Sequence, residues 1–476
     1  MGNWKDKLIE RFARHDDRKT TTSQSPHSQP RVVPGHSTQY TGTSSGSEKI
    51  QLVLGLDFGT AYTKVVIGER RRAYAVPFTG VAPQRNPYLL PGVLTIADDG
   101  RVGLGSQGQG RRVSDLKMRI LDGDTGDETL SLTVAFLALV MQNARGWFLN
   151  THSDTYKNYH LDWNVNVGLP TTHYQNETLV GFYRQLVKSA WHASTRASPL
   201  DLDLACDSFA DDEDSLREHA IGTFPEFAAQ INGYVRSPMR RSDIHLLMDI
   251  GAGTVDVAAF NVHQIEGDDV FPILGSRVEP LGVHVLHDHR VQYAGELGRL
   301  QPIDNITDEH FCSQLGITPH ALRDIDRPVR TAVLEQVRDV VRMAKRKYPK
   351  SRHWTAGVPF FFCGGGARAE LYRSLAEQMV RDSAPCPLAR LELPVPERLV
   401  ATGVDATEYD RLSVAYGLSF DQFEIGQIVP TEQIEDLDAQ PVSVHGSGGQ
   451  CIACDGTGGQ MANSCAVCGG SGWISR

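Results

Sequence analysis

The strongest constraint on this chain is a local pattern that occurs twice. From Leu52 the sequence runs as an apolar strand into Asp57, then Phe58, Gly59, Thr60 and Ala61, and a second strand leaves through Thr63, Lys64 and Val65. The pattern returns 192 residues later: an apolar strand from His245 reaches Asp249, a turn follows with Gly251, Ala252, Gly253 and Thr254, and Asp256 opens the next strand. Small residues in such turns let backbone N–H groups approach a phosphate with no side chain in the way. A carboxylate at the strand end, such as Asp57, can face phosphate-bound magnesium through water. One hairpin of this kind is an ordinary turn. Two of them predict a pair of related half-domains offering backbone donors and carboxylates to one polyphosphate. A third element, Pro359 to Cys363 running into Gly364, Gly365, Gly366 and Arg368, reads as a strand entering a glycine turn at a helix start. There a flat base can lie against backbone and Arg368 can stack on its face.

Around these turns, strands alternate with helical stretches from about residue 49 to residue 421, which is the pattern of an α/β core. Residues 1–14 place Trp4, Leu8, Ile9 and Phe12 on one face of a short amphipathic helix. Residues 15–48 are rich in Ser, Thr, Pro and Gln and read as a disordered tether. Asp201 to Asp214 reads as a solvated acidic loop. Residues 422–449 read as an acidic, then Gly/Ser-rich linker to a last module at 450–476. With 47 Lys+Arg against 57 Asp+Glu, the net charge of −10 disfavours a nucleic-acid-coating protein. The longest apolar run, near Leu132 to Met141, is shorter than a membrane span. With no secretory signal pattern in the first residues, a cytoplasmic location is expected.

The order hairpin, hairpin, strand-glycine-helix resembles the actin-like ATPase superfamily, and within it the DnaK-type chaperones, over residues 50 to 420. Further segments carry the likeness. Val102-Gly103-Leu104-Gly105 with Ser114 to Leu121 is similar to the segment holding the family's catalytic lysine, at Lys117. Val165 to Pro170 is similar to the strand before the first crossover helix, Thr223 to Ala229 to the connection carrying a catalytic glutamate, and Arg411 to Leu418 to the closing helix. The resemblance implies a two-lobed, ribonuclease H-like ATPase fold that binds and slowly hydrolyses ATP with magnesium. It implies catalytic roles for Asp249, Glu226, Lys117, Asp57 and Asp256. Asp57 and Asp256 would hold the magnesium hydration shell, Asp249 and Glu226 the attacking water, and Lys117 the γ-phosphate charge. Gly59, Thr60, Ala61, Gly251, Gly253 and Thr254 would meet phosphates, and Gly364, Gly365, Gly366 and Arg368 the nucleoside. It also places adenosine near Glu335, Arg338, Arg342 and Lys345, on a helix from Leu334 to Tyr348. Ala252 stands where the family has a third glycine, and Phe227 follows Glu226 where the family has proline. His284, His287 and His289 read as structural or surface residues.

At the end of the sequence, Cys451, Cys454, Cys465 and Cys468 form two Cys-x-x-Cys pairs ten residues apart, the spacing for one tetrahedral zinc with no open position. Each pair continues as Cys-x-x-Cys-x-Gly-x-Gly and resembles the zinc hairpin of DnaJ-type co-chaperones, which implies docking of a protein client or partner. No His-Pro-Asp tripeptide occurs, and Arg476 is the one basic side chain from residue 446 onward, which disfavours nucleic acid. The 56 residues after Phe420 leave no room for a DnaK-type peptide clamp. The expectation is a chaperone-like ATPase coupling lobe closure to a client or partner held by the zinc hairpin and the N-terminal helix. A filament-forming actin relative, or a nucleotide-sensing scaffold with little turnover, is the alternative.

Overall fold

The structure is a computed structural model that describes residues 48–81, 86–106, 110–196, 200–210, 220–294, 307–404, 407–436, 449–450 and 473–474. The expected N-terminal helix and tether, and the cysteines of the zinc module, lie outside these residues. Two compact units divide the chain, Met1–Ala344 with Lys350–Ile434, and Lys345–Pro349 with Glu435–Arg476. Within the second, strands Gly449–Gln450 and Trp473–Ile474 pair antiparallel and so bracket the cysteine segment.

The first unit is mixed α/β and contains two large sheets. Strands β1 (Lys49–Asp57), β2 (Tyr62–Gly68) and β3 (Ala73–Ala75) form an antiparallel meander. Short strands β4 (Leu90–Pro91), β5 (Leu94–Ile96), β6 (Val102–Leu104) and β7 (Arg111–Val113) follow; β4 pairs with β2, and the other three form their own sheet. Helix α1 (Leu116–Leu121) and the long α2 (Asp127–Tyr156) lead to β8 (His160–Leu169), which joins β1 in parallel. After α3 (Thr171–Tyr174), α4 (Glu177–Thr195) and α5 (Leu202–Ala210), strand β9 (Ile221–Pro225) joins β8 in parallel. Helix α2 is long and apolar enough by composition to cross a membrane, but its apolar window is mostly buried against the first sheet and α4. The acidic stretch expected to be a loop is helical over Leu202–Ala210, because Leu200 and Ala205 bury their side chains in the same core as α2 and α4.

Helix α6 (Glu226–Val235) then leads to the second sheet. Its strands β10 (Asp243–Ile250), β11 (Val255–Ile265) and β12 (Asp268–Glu279) form another antiparallel meander. Helices α7 (Val283–Ala294), α8 (Asp308–Leu315), α9 (Pro319–Lys347) and α10 (His353–Ala356) precede β13 (Val358–Cys363), which joins β10 in parallel. Helix α11 (Glu370–Arg381) connects β13 to β14 (Leu388–Leu391), again parallel. The first sheet therefore contains the order β3-β2-β1-β8-β9 and the second β12-β11-β10-β13-β14, with the same pairing senses at each step. The duplication expected from two hairpins extends through five strands of each sheet.

Strand β15 (Leu399–Val400) pairs with β3, and helices α12 (Ser413–Leu418) and α13 (Gln422–Ile425) follow. Strand β16 (Gln427–Val429) then pairs in parallel with β12. The sheet thus runs past the expected domain end at residue 421, and the start of the supposed linker is structured because Ile425 buries its side chain and Asp421 and Glu424 form a capping box. Helix α6 sends Phe227, Ala228 and Ile231 into a core with Leu247, Phe260 and Phe361 of the second sheet. Helix α12 packs in a core with Val66, Ala73 and Phe224 of the first. The two helices cross with almost no gap: a Cβ on Gly417 would lie 1.8 Å from the carbonyl oxygen of Ala229. Asn166 of β8 secures this crossing by donating to the carbonyls of Leu418 and Phe420 at 2.9 and 2.8 Å.

Candidate active site

The two hairpins share one register. In the first, Asp57 lies opposite Lys64; in the second, Asp249 lies opposite Asp256. Position by position, Asp57 corresponds to Asp249 and Lys64 to Asp256. The equivalence has an electrostatic consequence, since the first hairpin is internally neutralised, with Lys64 Nζ 2.6 Å from Asp57 Oδ2, and the second carries two acids. Both hairpins open onto a single cleft of about 1430 Å³, larger than the ~300–1,000 Å³ usual for a small-molecule site.

Backbone geometry orients the second turn. The carbonyls of Gly251, Ala252 and Gly253 accept from the amides of Val283, His284 and Gly282, at 3.2, 2.8 and 3.2 Å. In a trans peptide the N–H of the next residue points opposite to the carbonyl. The amides of Ala252, Gly253 and Thr254 are thus turned away from α7, the arrangement of an anion-binding nest. At the third glycine element, Gly364 has φ +90°, and a Cβ there would fall 2.1 Å from Asp249 Oδ1. Only glycine lets this turn close over Asp249.

Two buried polar contacts define the cleft floor. Lys117, on α1, places Nζ 2.6 Å from Glu226 Oε1 at the start of α6. Burial alone would lower the lysine's pKa, but the nearby Glu226 and Asp57 outweigh it and hold the ammonium charged. Across the floor, Asp256 Oδ2 accepts from both the amide and the hydroxyl of Thr171, at 2.9 Å each, while its Oδ1 has no hydrogen-bond partner among the described residues. Asp249 is pushed up to about 7 by burial and by the charges of Glu226, Asp256 and Asp57. Asp256 also rises to about 7, chiefly by burial, against the two Thr171 bonds that lower it. Such crowding of carboxylates favours a cation or shared protons.

The structure brings all five expected catalytic residues, Asp57, Lys117, Glu226, Asp249 and Asp256, to the walls of this cleft. Gly59, Thr60, Ala61, Gly251, Thr254, Gly364, Gly365, Gly366 and Arg368 line it as well. Gly253 does not: its α-carbon faces α1, with Met118 Sδ 3.0 Å from where a Cβ would stand. Arg368 is not a free stacking group, because it pairs with Asp410 at 3.1 Å and lies 3.6 Å from Glu408.

The helix expected to meet adenosine needs correction. Glu335, Arg338, Arg342 and Lys345 are not on the cleft wall; Arg323, Arg327 and Arg330, from the first half of α9, are. The second half runs along β12 instead, where Gln336 donates to the carbonyls of Val255 and Arg277 and Arg277 pairs with Asp339. Of the three histidines, His289 bonds the carbonyl of Ile325 at 2.8 Å, while His284 and His287 face the cleft. Sequence reasoning missed Lys64 as a site residue and missed Arg290, which grips Asp326 through two bonds of 2.7 and 2.6 Å and Asp308 through one of 3.0 Å, tying α7, α8 and α9 into the outer wall. The register pairing of Asp57 with position 64 was the available signal for Lys64.

Among the described residues, no three His, Cys, Asp or Glu side chains converge closely enough to ligate one metal ion directly. No protein-family model matches the chain, and no curated protein matches it.

Proposed function

We propose that the chain is a two-lobed ATPase of the actin-like superfamily, closest in kind to the DnaK-type chaperones. The observation that carries this reading is the pair of hairpins with one register, mounted on two sheets of one strand order and opening onto a shared cleft. A polyphosphate between them would meet the amides of both turns, with Lys117 and Lys64 offsetting its charge, a catalysis of positioning and electrostatics. Asp57 and Asp256 would hold magnesium through its water shell. The Asp256 Oδ1, which has no hydrogen-bond partner among the described residues, fits a hydrated ion. When bound, magnesium would neutralise phosphate charge. Asp249 and Glu226 would orient the attacking water. Because Glu226 is already held by Lys117, slow turnover is expected.

The same reading assigns the four cysteines a structural zinc and gives the zinc hairpin a protein client or partner, coupled to lobe closure by ATP. The test of the site is calorimetric titration of ATP with magnesium, joined to phosphate-release kinetics. The wild type should bind and hydrolyse ATP. Asp249→Asn should bind within tenfold and lose most hydrolysis. A wild type that binds no ATP sinks the proposal, and normal turnover in the variant removes Asp249 from its role.

A further inference from the structure

One buried polar side chain in the cleft has no structural employment. Helix α6 is committed at almost every position: Phe227, Ala228 and Ile231 enter the core of the second sheet, and Ala229 sits under Gly417. Its other buried amide, Asn232, accepts from Arg236 Nε at 2.8 Å. Gln230 differs. It is 1% exposed, its Oε1 is buried with no hydrogen-bond partner among the described residues, and the residue is one of those lining the cleft. An acceptor left open at this depth costs ~1–3 kcal/mol, and an apolar residue of similar size would avoid the cost. Gln230 also stands four residues after Glu226, so the two share one face of the helix.

We propose that Gln230 is a positioning residue for hydrolysis, accepting a hydrogen bond from the attacking water beside Glu226. The proposal rests on the ATPase reading above. In the step it serves, the water oxygen bonds to the γ-phosphorus as the bond from phosphorus to the β–γ bridging oxygen breaks. The bridging oxygen keeps the electron pair and leaves on ADP. The water's proton passes to a cleft carboxylate and then to solvent. A carboxamide does not take this proton; it fixes the direction of the water's O–H, which is the part a glutamine can supply in phosphoryl transfer.

The test uses the full chain with Gln230→Met, which keeps volume and removes both hydrogen-bonding atoms, and Gln230→Ala as a second variant should the first fail to fold. ATP affinity by calorimetry should stay within about threefold of wild type. The melting temperature should hold or rise, because an unsatisfied acceptor is gone. Single-turnover phosphate release should fall ~10- to 100-fold, in the range of losing one preorganised bond to the reacting groups. Wild-type release rates in the variants overturn the proposal. A parallel loss of affinity, melting temperature and rate assigns Gln230 to packing and overturns it equally. A wild type that binds ATP without releasing phosphate removes the role of Gln230 but leaves the nucleotide site, whereas a wild type that binds no ATP defeats the ATPase reading itself.

Discussion

Asp249→Asn tests the electrostatics of the cleft without any ligand. The carboxyl has an ordinary value of 3.8 and is raised to about 7 in the fold, first by burial and then by Glu226, Asp256 and Asp57. Between those values the folded chain binds a proton that the unfolded chain has released, so stability falls as pH rises through that window. The stabilising neutral form is fully present below 3.8 and is lost by the time pH passes about 7. A rise of about three units at ~1.36 kcal/mol each sets a ceiling near ~4 kcal/mol for the penalty above neutrality. Asparagine has the same shape and never ionises. In urea melts without nucleotide or divalent ions, the variant should match wild type near pH 4, pull ahead as pH rises, and keep a constant lead of up to ~4 kcal/mol above about pH 7. ATP with magnesium should shrink the lead. A lead that is absent, or that narrows as pH rises, would refute the argument that these carboxylates are crowded in the folded state.

Two further outcomes follow from geometry and composition. Gly417→Ala puts a methyl 1.8 Å from the Ala229 carbonyl, between backbones that have no side chain to move aside, so α6 and α12 must separate. The cost should exceed the ~1–3 kcal/mol usual for overpacking, and circular-dichroism melts should show a fall of several degrees. For the cysteine module, metal analysis should find about one zinc per chain, lost in Cys451→Ser with Cys454→Ser. ATP binding should persist in that variant, and its loss would mean that the core depends on the module.

What could be read from the sequence was set by how local each signal is. The hairpins were legible because a carboxylate, small turn residues and flanking apolar strands are contiguous, and the common register of Asp57 and Asp249 follows from equal spacing. Lys64 was legible by the same spacing, since the register sets it opposite Asp57, but it was passed over. Contacts between distant segments were not legible. The resemblance gave the second half of α9 to the cleft; in the structure the first half lines it while Gln336 of the second donates to the carbonyl of Val255, and an amphipathic pattern running through both halves does not tell them apart. Strand β16 was taken for linker since three residues, Gln427–Val429, carry no period, and they form a strand by adding to the edge at β12. The acidic stretch misled for a similar reason: Asp203 is exposed on α5, and the few apolar residues packed into the core with α2 and α4, Leu202, Leu204 and Ala205, decide its structure.

On the reading proposed above, the matched registers also supply an electrostatic reason for a cation in the cleft. If both hairpins carried a lysine at the second position, as Lys64 does, each would be neutral and the cleft would need nothing. Asp256 replaces that lysine in the second hairpin, and Glu226 takes up the one further lysine, Lys117. Among the groups of the two hairpins and the Lys117–Glu226 pair, four carboxylates then face two lysines, a deficit of two positive charges on the side where Asp249 and Asp256 both rise to about 7. Protons can fill that deficit only by giving up the charge that holds a cation's water shell. A divalent ion fills it with the carboxylates still ionised. On the ATPase reading proposed above, the difference between the two hairpins, lysine at one second position and aspartate at the other, would give a paired phosphate cradle a single metal position.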